Sequence, residues 1–425
     1  MRYTPAILIG RGVRVLARWR KPGGGSAVPG LVVNTIAPGF LAHALNGFPQ
    51  GLVIVSGSSG KSTTTKMLVA ALRAHGLTVF TNSSTANIRQ GLTSALLERA
   101  SVTGRVAGDI AVLEMDEGHG AAIAPTLTPR VVALTNVMVD QIDRFHDSDM
   151  VAGLLRKIAL RSTGVVVINA DDAYLADLGG ELDSEATGVT VERYGVTSDV
   201  LAANPRGLGY TRTAAERLPA GDGLLVTEVS GRSARFALEG VSYPVALPAR
   251  GTHYAVDAAT AVATARAALG SRFDAAVAIE AVGTIPPVFG RGEIVTVNGH
   301  EIEFVLVQNP ASFQLNVDSL EPSTEQILIA IGSDVRDPSY FWPVDTSSLG
   351  HVLIASGSKA HDIALQLVYD DVTVDRIEPD VGVALDAFLA LPKPAHGMKT
   401  IIFSADGMRR TRAHLGLATN AEEPV

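Results

Sequence analysis

Three clusters of residues in this chain have types and spacings suited to phosphoryl chemistry. The first is Gly57-Ser58-Ser59-Gly60-Lys61-Ser62-Thr63, which follows the apolar run Leu52–Ser56. Glycine at 57 and 60 lets the backbone turn tightly and bring its N–H groups against an anion. Lys61 can lie along phosphate oxygens, and the Ser62 hydroxyl can hold a magnesium ion. A helix starting at this point aims its positive end at the same spot. The spacing is shorter than that of the ordinary phosphate loop, with Val55 where the longer pattern needs glycine. The plain alternative is a Gly/Ser loop joining a strand to a helix. The apolar strand before it and the Lys-Ser-Thr helix start after it favour the phosphate reading.

The second cluster is Glu114, with Asp116 and Glu117 close by, at the end of an apolar run over 109–115. One carboxylate there completes a magnesium shell with Ser62, because magnesium takes few protein ligands and keeps several waters. Which of the three acids serves is open at this point, and a solvated helix cap is the other reading. The third cluster is Thr135-Asn136 and then Asp140-Gln141-Ile142-Asp143-Arg144, which also follows an apolar run.

The elements that position these clusters read as an α/β fold. Continuous apolar strands over 52–56, 78–81, 109–115, 131–135 and 164–168 alternate with helical spacing over 62–75 and 88–100. That pattern indicates a parallel sheet covered on both faces, with ligands beyond the carboxyl ends of the strands. Residues 31–36 read as a short strand and 38–45 as a short helix. From 187 to 248 short alternating segments suggest a few antiparallel strands appended to the domain. An Ala-rich helix covers 255–269, and α/β alternation resumes from 294.

Composition narrows the class. At 425 residues the chain needs two or three domains, and 47% hydrophobic with 18% charged residues is globular. There is no cysteine, which excludes disulfides, a thiolate nucleophile and a Cys-built zinc site, and fits a reducing compartment. A net charge of −8 gives no general affinity for nucleic acid. No apolar run reaches the length of a membrane span. The first 21 residues mix Arg2, Arg11, Arg14, Arg18, Arg20 and Lys21 with apolar residues. They form either a basic amphipathic helix that touches an anionic membrane or a solvated helix packed on the domain.

These motifs together resemble the Mur ligases, over nearly the whole chain, and within them the MurT group, the ligase-like subunits of lipid II isoglutaminyl synthases. The MurT likeness rests on the Asp140–Arg144 run, on Phe289-Gly290-Arg291-Gly292-Glu293, on Asn309-Pro310-Ala311-Ser312-Phe313, and on Asp337-Pro338-Ser339-Tyr340-Phe341-Trp342. It rests also on the few residues before the phosphate loop, too few for the N-terminal nucleotide-sugar domain of other Mur ligases. The resemblance implies a Mur-type central ATPase domain at 46–287, preceded by a lead-in at 1–45 and holding a short antiparallel insertion at 204–248. A Rossmann-like C-terminal domain at 288–425 follows. It implies ATP and Mg2+ as cofactors, with residues 57–63 and Asn136 at the nucleotide. Ser62, Glu114 and Gln141 would hold the metal, and Tyr254, Asp257 and Arg291 would contact the rest of the nucleotide. Lys61, Glu114, Gln141, Asp337 and Asp345 are the catalytic candidates, the last two as the Asp lent to a glutaminase partner of the GatD kind. The implied reaction is ATP-driven amidation of D-glutamate in the lipid II stem peptide, in the cytoplasm at the inner face of the membrane.

The chain also departs from the MurT pattern. It lacks the four-cysteine ribbon, so no zinc is expected. Tyr254 and Asp257 replace the two Asn of the adenine-contacting segment, and Pro343 stands where the partner-directed Asp is usual. Lys157 lies near the carbamylated lysine of the family, a surface helix lysine being the other reading. Two further functions therefore stay open: a paralogue joining ammonia or an amine to another acid, and a non-catalytic nucleotide-binding subunit.

Overall fold

The computed structural model describes residues 2–20, 27–82, 88–138, 147–184, 188–287, 289–321, 323–337 and 341–417. Two sheets organise them. The larger holds β1 (Leu52–Ser56), β2 (Val79–Thr81), β3 (Ile110–Glu114), β4 (Val131–Leu134), β5 (Val165–Asn169), β6 (Thr190–Val196), β7 (Leu224–Ser230), β8 (Ser233–Leu238) and β9 (Val241–Ala246). Their order is β2-β3-β1-β4-β5-β6-β7-β8-β9. Pairing is parallel from β2 to β7 and antiparallel from β7 to β9. Central β1 is wholly buried. Its alternate residues feed two cores, as strand geometry requires. Val53 and Val55 pack with the helices Lys61–Ala74 and Thr252–Leu269. Leu52 and Ile54 pack with Ile7, Val33, Phe40 and Leu92 of the N-terminal layer and the helix Arg89–Arg99.

The smaller sheet holds β10 (Arg291–Val297), β11 (His300–Leu306), β12 (Ile327–Ala330), β13 (His351–Ser356), β14 (Thr373–Glu378) and β15 (Lys399–Phe403). Its order is β10-β11-β15-β12-β13-β14, parallel except for the β10–β11 hairpin. It carries its own cores on its two faces.

One expectation needs correction. Residues 31–36 belong to a helix, Val28–Ile36, rather than a strand. Its β-branched residues favour a strand locally, but tertiary packing overrides that preference. Gly30 lies so close to the next helix that a Cβ there would sit 1.9 Å from the Gln90 carbonyl oxygen. The antiparallel strands β7–β9 are appended to the domain as expected. They extend the main sheet, because β6 pairs with β7 in parallel.

Candidate nucleotide site

The phosphate loop leaves β1 at Ser56 and enters the helix Lys61–Ala74 at Gly60. Gly57 has φ 137° and Gly60 has φ 80°, values that suit glycine alone in this setting. A Cβ at Gly57 would lie 2.2 Å from the Thr135 hydroxyl, and one at Gly60 would lie 2.1 Å from Asp257 Oδ1. Both glycines are therefore needed for close approach as well as for the turn.

Carboxyl-end residues of the neighbouring strands hold the loop. The Ser58 N–H donates to the Asn136 carbonyl at 3.1 Å. The Ser59 N–H donates to Asn136 Oδ1 at 2.9 Å, while Asn136 Nδ2 and the Thr135 hydroxyl donate to the Ser59 carbonyl at 3.2 and 2.7 Å. Asn136 thus grips the loop from behind. The Ser58 hydroxyl accepts from the Met138 N–H at 3.1 Å. With the Ser58 and Ser59 amides engaged, the N–H groups that face an anion are those at the start of the helix, which have no acceptor one turn back. A second tier supports the first. Asn169 Nδ2 donates to the Thr135 carbonyl at 3.2 Å, and Asp172 Oδ2 accepts from the Val137 N–H at 2.6 Å. Burial pushes the Asp172 carboxyl up to about 7, against the hydrogen bonds it accepts.

The three acids after β3 separate by role. Glu114 Oε1 accepts from the Ser62 hydroxyl at 3.0 Å. Asp116 caps the helix Glu117–Ile123, accepting from the Gly118 and His119 N–H groups at 3.1 Å each. Glu117 is buried and lies 3.4 Å from Lys61 Nζ. Lys61 also donates to the carbonyls of Gly57 and Ser58. Ser62 and Glu114 form a hydroxyl–carboxylate pair of hard oxygens, a donor set that suits magnesium.

Asp257, on the helix Thr252–Leu269, closes the other side of Gly60. Burial holds its carboxyl well above the usual range, opposed by Arg291 and by a hydrogen bond from Thr63. Thr63 is therefore directed at Asp257. Tyr254, one turn before Asp257, is buried too, and its hydroxyl is raised by burial. Arg291 opens β10 and donates to Gln308 Oε1 at 2.8 Å. Sequence reasoning missed that Asp257 meets Gly60, since the contact depends on helix packing between distant segments.

Other expected residues lie elsewhere. Gln141 and the rest of the Asp140–Arg144 run fall outside the described residues. Lys157 is exposed on the helix Ser148–Ala159. Asp337 is exposed. Asp345 accepts from Arg206 at 2.6 Å and from the Ser347 hydroxyl at 2.5 Å. The Ser347 hydroxyl and Arg206 hold its carboxyl down at about 2. Arg206 also pairs with Asp318 at 2.9 Å, so it joins the segment after the helix Ser198–Ala202 to the smaller sheet's domain.

The family model for the Mur ligase middle domain matches residues 55–265, and that for the MurT ligase C-terminal domain matches residues 306–402. The chain belongs to the Mur ligase family. It is 28% identical over 408 residues to the MurT subunit of the glutamine-hydrolyzing lipid II isoglutaminyl synthase of Streptococcus pneumoniae, spanning 86% of this chain and 87% of that one. It is 31% identical over 226 residues to the UDP-N-acetylmuramate–L-alanine ligase of Bifidobacterium longum, spanning 53% and 42%. Among solved structures, a pseudomurein peptide ligase type C from Methanothermus fervidus superposes with TM-score 0.66 at 17% identity, over 88% of this chain and 80% of that one. The MurF ligase of Thermotoga maritima in complex with ADP also gives 0.66, at 18% identity over 90% and 83%. At such identities these two likenesses establish the fold. The family membership makes this Mur-type chain an ATP-dependent ligase.

Proposed function

We propose that this ligase activates the α-carboxyl of D-glutamate in the lipid II stem peptide as an acyl phosphate, which ammonia from a GatD-like glutaminase then converts to the amide. The observation that carries this reading is the match to a MurT subunit along most of both chains, central and C-terminal parts together. The site's geometry supports it. A carboxylate oxygen attacks the γ-phosphorus, the bond from that phosphorus to the ADP oxygen breaks, and acyl phosphate forms. Ammonia's lone pair then attacks the acyl carbon, phosphate leaves, and the nitrogen sheds a proton. No protein nucleophile is required. Gly60 and the first turn of the helix present N–H groups to the phosphates. Lys61, steered by Glu117, neutralises charge on the transferred phosphoryl group. Ser62 and Glu114 would hold Mg2+, which would supply Lewis-acid neutralisation of the phosphate oxygens. Arg291 reaches the nucleotide side from the second domain. Asp337 and Asp345 are the candidates for the acid lent to the glutaminase, and Asp345 is paired with Arg206.

Reconstitution tests this. The chain, a GatD-type glutaminase, glutamine, ATP and lipid II should yield amidated stem peptide by mass spectrometry. Lys61→Ala should lower the rate by about a hundredfold or more, the scale expected when charge stabilisation of a transferring group is removed. Lipid II left unchanged, with ATP consumed on another acid, would shift the reading to a paralogous ligase. Pro343 and Asp257 are the residues that favour that second reading.

A further inference from the structure

The N-terminal layer carries a surface that the nucleotide site does not use. The helix Thr4–Arg20 buries Ala6, Ile7 and Gly10 against the protein. Its opposite face exposes Leu8, Ile9, Val15 and Leu16, and the helix Val28–Ile36 packed beside it exposes Val28, Leu31 and Ile36. These seven side chains are 44% to 65% exposed. Positions 8, 9, 12, 15 and 16 have helical spacing, so the apolar residues form a continuous stripe along one face. Scattered exposed apolar residues need no explanation, but a contiguous patch marks a surface that something covers.

Charge says what covers it. The helix Thr4–Arg20 holds Arg11, Arg14, Arg18 and Arg20 and no acid, in a chain whose total is −8. Arg11 and Arg14 are directed inward, to the Leu97 carbonyl and to Glu98. Arg2 is exposed at the helix start. The layer's first helix is thus basic in a chain that is acidic as a whole. Among the described residues no helix is long and apolar enough to cross a membrane. An apolar stripe on a basic helix of this length lies in an interface rather than through it.

The layer is anchored on the helix Arg89–Arg99 and the turn after it. Thr4 bonds the Val102 carbonyl, Gly10 meets Leu97, and Gly30 receives its contacts from Gln90 and Ser94.

We infer that the outer face of the helices Thr4–Arg20 and Val28–Ile36 seats the enzyme on an anionic phospholipid bilayer. The inference adds a surface to the amidation reading and rests on that reading only for the identity of the lipid-borne substrate. Binding itself is measured without substrate. The full chain should co-sediment with vesicles of phosphatidylcholine and phosphatidylglycerol, bind phosphatidylcholine vesicles far less, and release from the anionic ones as salt rises. The double variant Leu8→Gln/Leu16→Gln should bind anionic vesicles about tenfold more weakly while melting at the wild-type temperature. Ile9→Gln/Leu31→Gln is the second variant, should the first misfold. Absence of vesicle binding, or equal binding by both folded variants, overturns the proposal. So does a dimer, or a glutaminase complex, that these substitutions abolish while vesicle binding persists. Amidation of detergent-dispersed lipid II is scored separately, so either result can fail alone.

Discussion

At the scale of single residues, the loop is shaped by groups that do not themselves touch phosphate. Asp257 is the clearest case. Its carboxyl sits where a Cβ of Gly60 would be, at the positive end of the helix Lys61–Ala74. Burial favours the neutral form there, and a neutral carboxyl leaves the helix end to the nucleotide. Ionisation would place a negative charge beside the phosphates and compete for the same dipole. ATP binding by the wild type should therefore weaken as pH rises through the raised titration range of this carboxyl, and Asp257→Asn should flatten that dependence. Nucleotide titration by calorimetry over a pH series across which both proteins stay folded checks it. Equal slopes for both proteins would remove Asp257 from the account. The neutral form also matters for the residue type. A carboxylate only accepts hydrogen bonds, whereas a protonated carboxyl donates one, as the amide of Asn does.

At the scale of elements, the site is a set of strand ends braced against one another. Thr135-Asn136 just after β4 hold the loop after β1, and Asn169 at the end of β5 and Asp172 beyond it hold the residues after β4. Asn136→Ala removes the acceptor of the Ser59 N–H and a donor to the Ser59 carbonyl. A lost acceptor for a part-buried amide costs about 1–3 kcal/mol. The expected result is a modest fall in melting temperature and a larger loss of ATP affinity, because the loop loses its fixed shape. Unchanged nucleotide affinity in a folded variant would show the brace to be dispensable. Much of this arrangement is legible in the sequence. Buried parallel strands are unbroken apolar runs, and Gly60-Lys61-Ser62 at the end of one fixes where the helix starts. Other parts are not. The helix Val28–Ile36 looks like a strand because its Val and Ile residues say nothing of the helix it packs on. β14 is an edge strand with a polar, half-exposed pattern, so no periodicity reveals it. Glu114, Asp116 and Glu117 are equivalent as letters, and only the turn after β3 assigns one to Ser62, one to a cap and one to Lys61.

At the scale of the whole molecule, two sheet domains meet through charged side chains. Arg206 reaches Asp318 and Asp345, Arg250 pairs with Glu303 and Glu321, and Arg232 donates to the Gly292 carbonyl at 3.2 Å. Arg291 starts β10 beside this junction, so the same contacts that orient the second domain place its cation near Asp257. The Arg206 cluster is half open to solvent, and such pairs add about 1 kcal/mol or less to stability. Its effect should therefore be on orientation, not on folding. Asp345 has a second claim on it, as the acid lent to a glutaminase, and paired variants separate the two. Arg206→Ala and Asp345→Asn should lower ligase turnover by similar factors, shift the melting temperature little, and leave glutamine hydrolysis by the complex intact. Asp337→Asn should do the reverse, lowering glutamine hydrolysis while ATP turnover driven by free ammonia persists. If Asp345→Asn alone abolishes glutamine hydrolysis, the acid belongs to the partner's site and its pairing with Arg206 is a resting contact. Added salt discriminates further, since screening mimics Arg206→Ala only where the pair itself sets the domain angle.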